Sequence, residues 1–477
     1  MTLEEENAAL KAENARLREG YEQAREHLAL LAARVQELEA RLAKDSHNSG
    51  KPPSSDGLGR KTKSLRRRSG KQPGGQLGHR GETLHLVATP NAVVEHRPAV
   101  CAQCQASLDA AAVVVLRERR QVQDLPRVRL VVTEHQALHV RCPTCQAVSV
   151  GAFPVEAPSR AQYGPRLRAF AVYLLQQQFV PYGRVRELLA DLAGASLSLG
   201  TLLSWVQQSA VTLAPVEAQL KAALQGAPVL HNDETGVRRG GRLAWAHVAS
   251  TSRLTHYAVH AKRGSEATDA IGILPDFTGV SVHDGWKPYW RYMRCRHALC
   301  NIHHLRELTF LEEQYQQVWA KELKTLLREM KTAVEQARAA GLCSLPTAVR
   351  EAFVTRYRAL LVAGHAANPP PVRRPRQRGR VKQTPARNLL ERLWLGQEEV
   401  LAFLDDLTIP FDNNQAERDV RMLKVQQKIS GSFRSDRGAD AFTCLRGYLS
   451  TLRKQGVALL AALETVVAGQ PLYPDFA

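Results

Sequence analysis

The chain has 477 residues, 44% of them hydrophobic, and a formal net charge of +19 at pH 7. This length predicts three or four domains rather than one. No apolar stretch approaches the roughly 20 residues that a membrane-spanning helix needs, and the acidic start MTLEEENAALKAEN lacks the apolar centre of a signal peptide. These features exclude an integral membrane protein, predict a cytoplasmic one, and favour a polyanionic partner, most commonly nucleic acid.

Residues 3–42 carry a heptad repeat with two apolar seams. The seams are Leu3, Leu10, Leu17, Ala24, Leu31 and Leu38, and Asn7, Asn14, Tyr21, Leu28, Val35 and Leu42. With leucine at d and asparagine at a, the repeat predicts a coiled coil, and a buried asparagine favours a parallel homodimer in register. A single amphipathic helix packed on a core is the alternative.

Residues 45–81 are rich in Pro, Gly and Ser and carry nine Lys and Arg against two Asp. This composition cannot bury a core and predicts a segment that is disordered on its own. Its cluster RKTKSLRRRSGK, which includes Arg66, Arg67 and Arg68, is dense enough to contact a DNA backbone. A solvated linker is an equally good interpretation, and the two are compatible.

Four of the eight cysteines form two Cys-x-x-Cys pairs, Cys101 with Cys104 and Cys142 with Cys145. Two such turns can surround one tetrahedral Zn²⁺ with four thiolates. The residues between the pairs alternate like short strands. The spacing therefore predicts a zinc ribbon with a closed, structural zinc site.

Residues 163–225 are predicted to be helical. Within them, YGRVRELLADLAGASLSLGTLLSWVQQSA has two apolar-periodic helices around a Gly-Ala-Ser turn, and the second begins near Leu199. This arrangement suits a DNA-reading helix-turn-helix and suits a plain helical bundle equally well.

Four strands are predicted next, in APVLHNDET, RLAWAHVAST, RLTHYAVHA and TGVSVHDGW. Asp233 and Asp284 each stand where an apolar run ends, so neighbouring strands would bring both carboxylates to one sheet edge. Two close carboxylates repel unless a cation lies between them, and oxygen ligands suit Mg²⁺ or Mn²⁺. Glu234 should point to the opposite face of its strand and is not expected to be a ligand.

The best candidate for a third acid is Glu417, on a helix capped by Asn413 or Asn414 and running to about Lys428. Ala416, Val420 and Leu423 form its buried face, and Glu417, Arg421, Lys424 and Lys428 form the adjacent one. A carboxylate followed by a row of cations fits metal and phosphate binding, although an ordinary charged surface helix has the same pattern.

Cysteine and histidine also cluster in residues 295–304, as Cys295, Cys300, His303 and His304. A second zinc site is one interpretation. We favour a strand-to-helix junction at the edge of the active site, with His304 as a candidate contact to metal or phosphate.

NDET, VHDGW, the CNxHHLREL at Cys300 to Leu308, and DNNxAERxxRxxK with the later SGSFRS together resemble the transposases of the insertion sequence 66 family. The heptad start, KPPSSD, both Cys-x-x-Cys pairs and LRGYLSTLRKQG fit as well. The resemblance implies a ribonuclease H-like core with a DDE triad of Asp233, Asp284 and Glu417. It also implies two-metal phosphodiester chemistry with Mg²⁺ or Mn²⁺ and no covalent protein–DNA intermediate.

The predicted fold is multidomain α+β. Its parts are a coiled coil at 1–44, a basic linker at 45–85, a zinc ribbon at 86–157, a helical helix-turn-helix-like domain at 158–226, a ribonuclease H-like core at 227–435 with an insertion at about 306–400, and a C-terminal helical segment at 436–477. The predicted function is a transposase of the bacterial nucleoid that binds terminal inverted repeats, then cleaves and joins DNA. Accessory proteins encoded by the same element are candidate partners. The alternatives are a zinc-ribbon DNA-binding regulator with a degenerate core and a structure-specific nuclease of the same fold.

Overall fold

A computed structural model of the chain describes residues 2–49, 83–110, 112–371 and 381–476, with Asp56, Gly74, Gly78, His79 and Gly379 between these ranges. Arg66, Arg67 and Arg68 lie outside the described residues. The structure is mixed α+β, as predicted. None of the helices in these ranges is both long and apolar enough to cross a membrane.

Most of the described elements lie after residue 165. The helices are α1 (Leu3–Leu42), α2 (Pro165–Gln176), α3 (Tyr182–Ala193), α4 (Leu199–Gln225), α5 (Ser265–Ile271), α6 (Asn301–Tyr315), α7 (Val318–Ala339), α8 (Thr347–Ala367), α9 (Pro385–Leu395), α10 (Gln397–Asp405), α11 (Asn414–Ser430), α12 (Asp436–Lys454) and α13 (Leu459–Val467). The strands are β1 (His139–Arg141), β2 (Val148–Val150), β3 (Val229–Arg239), β4 (Arg242–Ser250), β5 (Thr255–His260), β6 (Val280–His283) and β7 (Arg296–Leu299).

The heptad repeat forms one helix, α1, whose leucine seam is exposed along its length. Only its C-terminal end is anchored. Ala40 is buried, the Lys44 amine lies 4.8 Å from the centre of the Phe310 ring on α6, and His47 Nε2 lies 3.3 Å from a carboxylate oxygen of Glu313. The predicted helix is confirmed, and its seam has no partner among the described residues of this chain.

The segment between the two cysteine pairs differs from its prediction. Residues 113–138 form no strand, and the only strand pair in the described part of residues 83–157 is β1 with β2. The alternating valines are exposed, Val115 by 93% and Val122 by 94%. Alternation produces a strand only where a neighbour supplies backbone partners and covers the apolar face, and no described residue covers this one.

The predicted helix pair is present as α3 and α4. The αL residue Gly194 ends α3, and Ser198 caps α4 by accepting a hydrogen bond from Thr201 N. The second helix begins at Leu199, as predicted, but it is 27 residues long. Its buried face shares one core with α2, α12 and α13, so the helices predicted for the C-terminal segment pack against this helical region.

The central sheet has five strands in the order β5-β4-β3-β6-β7. The first three are antiparallel to one another, and β6 and β7 run parallel to β3. The strands predicted from the four apolar runs are confirmed. A fifth, β7, leads directly into α6, which confirms the predicted strand-to-helix junction at Cys300.

Helices cover both faces of the sheet. On one face, Val237, Val248 and Tyr257 pack with Ala416 and Val420 of α11. On the other face, Leu230 and Ala249 pack with residues of α4 and with the loop that follows α5. The helices α6–α10 form a further core against β6 and β7, where an insertion between Asp284 and Glu417 was predicted.

Candidate active site

Asp233 and Asp284 lie on neighbouring parallel strands. β3 pairs with β6 through Val229–Val280, Leu230–Ser281 and His231–Val282. Continuing this register by two residues places Asp233 opposite Asp284, on the same face of the sheet. The predicted juxtaposition is therefore present.

The reason for it differs from the prediction. Asp233 is in the middle of β3, because β3 continues to Arg239 as the partner of β4. What ends near Asp233 is the shorter strand beside it, since β6 stops at His283. Asp233 therefore lies beside the end of the neighbouring strand β6 and not at the end of its own strand.

Three neighbouring acids act on the pKa of Asp233, although the ligand atoms of Asp233, Asp284 and Glu417 do not form a group within 4.8 Å of one another. Burial raises the pKa of Asp233 well above the usual range, and the negative charges of Glu234, Asp284 and Glu417 raise it further. The hydrogen bond that the Glu234 N–H donates to Asp233 Oδ1, at 2.8 Å, opposes this rise. A carboxylate disfavoured in this way gains from a nearby cation.

Glu417 reaches the site from the first turn of α11, and Asn413 fixes that turn to β3. The Asn413 side chain donates to the Asn232 carbonyl at 2.8 Å, and its oxygen lies 2.9 Å from His231 Nδ1. Asn413 occupies the N-cap position but makes no side-chain cap. The carboxylate of Asp412 accepts from Asn414 N at 3.1 Å instead.

Among the acids near the start of α11, Glu417 is the one with a buried carboxylate oxygen that accepts no hydrogen bond. Its Oε1 is buried and has no hydrogen-bond partner. Asp419, by contrast, accepts from Lys454 Nζ at 2.9 Å and from Gln415 Nε2 at 2.9 Å. Buried polar atoms are rarely left unpaired, so this orphaned carboxylate oxygen fits a metal ligand.

His303 lies beside Glu417, where His304 was the predicted contact. His303 Nδ1 is 4.0 Å from Glu417 Oε1 and has no hydrogen-bond partner of its own. His304 is buried against Asn301 Oδ1 at 3.0 Å, and burial lowers its pKa to about 3. Cys300 precedes α6, and the side chain three residues after a helix cap turns back toward it. That spacing in CNxHH fits His303, but only the position of Glu417 decides between His303 and His304.

Ligand atoms of Cys300, His303 and Glu417 all lie within 4.8 Å of one another, the one such group of three among the described residues. Burial raises the pKa of Cys300 to about 12, and its sulfur accepts a hydrogen bond from Asn413 N at 3.2 Å. This thiol is therefore a packed, protonated group. Cys295, which was weighed as a zinc ligand with Cys300, lies in a different core.

The profile of the transposase IS66 family matches residues 160–441, which is more than half of the chain. The chain belongs to the IS66 transposase family. The match spans the helical region, the central sheet, the helices inserted after β7, all of α11 and the start of α12. The resemblance seen in the motifs is thereby confirmed.

Two further similarities extend beyond this match. A family of unknown function (DUF6444) matches residues 2–85, which include α1 and the basic segment. The uncharacterized protein y4jD of Sinorhizobium fredii is 24% identical over 412 residues, covering 79% of this chain and 76% of that protein. The similarity therefore runs through most of the transposase.

The basic residues of α11 divide into two kinds in this transposase. Arg421 and Lys428 are exposed, whereas Lys424 is half-buried and donates to the Gly236 carbonyl on β3. Burial lowers the pKa of Lys424. Lys424 thus holds α11 against the sheet, and of the three predicted DNA-binding residues of α11 only Arg421 and Lys428 are exposed to a phosphate.

The two cysteine pairs of the transposase form matching turns. Gln105 N donates to the Cys101 carbonyl and Gln146 N to the Cys142 carbonyl, each at 3.0 Å, and both glutamines have φ near 60°. Backbone N–H groups, that of Cys145 foremost, lower the pKa of Cys142 to about 7. Each turn therefore favours a thiolate.

The structure forms the turns but does not bring the four sulfurs together. No three of the four thiols lie within 4.8 Å of one another. The four predicted zinc ligands are Cys101, Cys104, Cys142 and Cys145, and they stand as two separate pairs.

Proposed function

We propose that this transposase cleaves and joins DNA at a site made by Asp233, Asp284 and Glu417. The observation that carries the proposal is the register of β3 and β6, which aligns the first two acids on the face that α11 covers. The unpartnered buried oxygen of Glu417, whose charge raises the pKa of Asp233, supports Glu417 as the third acid.

The donor set fits Mg²⁺ or Mn²⁺, because all three ligands are carboxylates. Two such ions, when bound, activate the attacking oxygen and stabilise the leaving one. The chain's own contribution is to hold the carboxylates in place. Asn413 fixes the turn that carries Glu417, and the N–H of Glu234 orients Asp233.

The order of the strands supports a ribonuclease H-like core. Three antiparallel strands are followed by two parallel ones, and the first acid lies on the central strand. The helices α6–α10 separate the second acid from the third, as an insertion would. The boundaries proposed for this core are residues 227–435.

DNA is the proposed partner, and the positive charge of the chain supports it. Arg421 and Lys428 extend from the active site along the exposed side of α11, where they can bind phosphates near the acids. Arg66, Arg67 and Arg68 would add backbone contacts that depend on salt concentration. The exposed start of α4, near Leu199, is a further candidate surface.

A structural Zn²⁺ bound by Cys101, Cys104, Cys142 and Cys145 is also proposed. The two turns are alike and each favours a thiolate, which supports zinc over free thiols. Binding would require the two pairs to approach each other. That approach would also order the segment between them.

We further propose that α1 pairs with α1 of a second copy as a parallel coiled coil. Its exposed leucine seam and the asparagines at a positions support this arrangement. Sedimentation of a peptide of residues 1–44 should show a dimer. A monomer at high micromolar concentration would exclude it.

The triad is tested with Asp233→Asn, Asp284→Asn and Glu417→Gln. The substrate is a labelled duplex of the inverted repeats that flank the gene. Each variant should lose cleavage and strand transfer with Mg²⁺ or Mn²⁺, because a neutral side chain no longer holds the ions. DNA binding in a gel shift should be unchanged or tighter, because one charge that repels phosphate is gone.

Asp412→Asn is the matched control, an acid of the same turn that accepts a backbone N–H. It should remain active. Full activity of all three triad variants would reject the proposal. Cleavage without strand transfer by the wild type would favour a structure-specific nuclease, and DNA binding without metal-dependent cleavage would favour a regulator.

A further inference from the structure

Glu234 lies beside Asp233 in sequence, but its side chain is on the opposite face of β3, and only 2% of it is exposed. A buried carboxylate requires partners, and this one has three hydrogen bonds. Arg263 donates to Oε1 from Nε at 2.9 Å and from Nη2 at 2.7 Å, and the Tyr289 hydroxyl donates to Oε2 at 2.5 Å.

The guanidinium of Arg263 contacts two aromatic rings. It lies 4.0 Å from the centre of the Trp286 ring and 4.8 Å from that of Trp245. A planar guanidinium can stack and donate two hydrogen bonds at once, which a lysine amine cannot do. The position is therefore specific for arginine.

Both ends of this chain of contacts terminate on the proposed metal ligands. The Glu234 N–H donates to Asp233 Oδ1 at 2.8 Å, and the Trp286 N–H donates to Asp284 Oδ1 at 2.9 Å. The side chains of Glu234 and Trp286 are joined through Arg263. A continuous path of contacts thus runs from one acid to the other behind the sheet edge.

We propose that Glu234, Arg263 and Trp286 form a clamp that fixes the position of Asp233 relative to Asp284. The clamp residues are positioning residues, because they touch the two acids and not the substrate. The inference rests on the proposed function, since it assigns the clamp to the same metal site. Residues that orient metal ligands typically change metal affinity or activity 10- to 100-fold when they are replaced.

The alternative is that Arg263 only stabilises the loop after β5. The two roles differ in what they change. A stabilising pair changes the melting temperature and leaves metal affinity intact in the folded protein. A clamp changes the metal concentration required, and saturating metal restores the lost activity.

The experiment measures Mn²⁺ binding to the zinc-loaded full chain by electron paramagnetic resonance of free Mn²⁺, alongside Mn²⁺-dependent cleavage. Arg263→Lys keeps the positive charge but loses the planar guanidinium that donates two hydrogen bonds to Glu234 and contacts both tryptophan rings. It should raise the dissociation constant for Mn²⁺ by about 10- to 100-fold with little change in melting temperature. Cleavage should recover at saturating Mn²⁺, in contrast to Asp233→Asn, which should not recover.

Tyr289→Phe is the second variant, which keeps the ring and removes one donor to Glu234. It should shift Mn²⁺ affinity in the same direction by a smaller factor. Arg294→Lys is the matched control, an exposed arginine whose partner Asp276 lies 3.1 Å away, and it should bind Mn²⁺ like the wild type.

Wild-type affinity in both Arg263→Lys and Tyr289→Phe would overturn the clamp and leave the metal site standing. If the Asp233→Asn variant binds Mn²⁺ as tightly as the wild type does, the metal site itself is overturned, and the clamp with it. The two failures are distinguished by the Asp233→Asn measurement alone.

Discussion

The strands of the central sheet and the segment between the two cysteine pairs, residues 113–138, have similar sequence patterns but different structures. Both alternate apolar with polar residues, yet only the sheet forms the strands that alternation predicts. In the sheet, helices cover both faces, and Val237 and Leu230 are buried on opposite sides. In residues 113–138 the corresponding valines are exposed. Burial therefore orders the sheet, whereas the segment must obtain its order from elsewhere, and zinc is the proposed source.

The largest expected effect follows from removing that zinc. Replacing Cys142 with Ser should release zinc and unfold residues 86–157, because binding in small zinc domains contributes on the order of 10 kcal/mol. Hydrogen exchange followed by mass spectrometry should show loss of protection in this segment and none in residues 227–299. Metal analysis should find one zinc per wild-type chain.

Two results would contradict the proposal that zinc orders the segment between the two cysteine pairs while burial orders the sheet. A wild-type chain without zinc would leave the segment without its proposed source of order. Loss of protection in the sheet as well would show that the two regions do not fold independently. Cys343→Ser is the control, since that cysteine is exposed and lies outside both pairs.

A smaller effect should come from removing the cation of a buried ion pair that packs against the sheet. Lys454 Nζ lies 2.9 Å from Asp419 Oδ2, and both side chains are largely buried. Lys454→Met leaves that buried carboxylate without its cation, with Gln415 as its remaining side-chain donor, and should cost about 3–5 kcal/mol of stability. Thermal unfolding of the sheet region is the measurement.

Arg294→Met is its comparison, because the Arg294–Asp276 pair is exposed and should be worth less than about 1 kcal/mol. Equal losses in Lys454→Met and Arg294→Met would mean that burial does not distinguish the two pairs.

The parts of the molecule that could be predicted are those determined by neighbouring residues in the sequence. The start of α4 at Leu199, the four strands around Asp233 and Asp284, and the buried face of α11 were all predicted from periodicity and caps. The β7–α6 junction at Cys300 was also predicted correctly. Each of these depends on residues within about ten positions.

The features that could not be predicted depend on distant partners. Choosing between His303 and His304 required knowing where Glu417 lies, more than 100 residues later. The role of Asn413 as a link to β3 required the same knowledge. Glu234 was recognised as facing away from Asp233, but its contact with Arg263 is visible only in the fold.

The smallest expected effect is a pH-dependent gain in stability from Asp233→Asn. Burial raises the pKa of Asp233, so its charged form destabilises the fold. This penalty is absent below the unfolded pKa of about 3.9 and grows as the pH rises above it. Without Mg²⁺ or Mn²⁺, the variant should therefore melt higher than the wild type at pH 7, and the difference should shrink as the pH falls.

Saturating Mn²⁺ should reverse the order at pH 7, because only the wild type gains stability from binding. A variant that melts below the wild type without metal would contradict the account of Asp233.

The most direct test of the three-acid site is to map it with iron. Fe²⁺ in place of Mg²⁺, with ascorbate and peroxide, generates radicals that cut the chain next to the bound ion, and mass spectrometry locates the cuts. We expect cuts beside Asp233, beside Asp284 and at the start of α11 near Glu417, all suppressed by excess Mg²⁺ and by Asp233→Asn. Cuts at the sheet edge without any at the start of α11, or cuts that Asp233→Asn leaves unchanged, would contradict the proposed site.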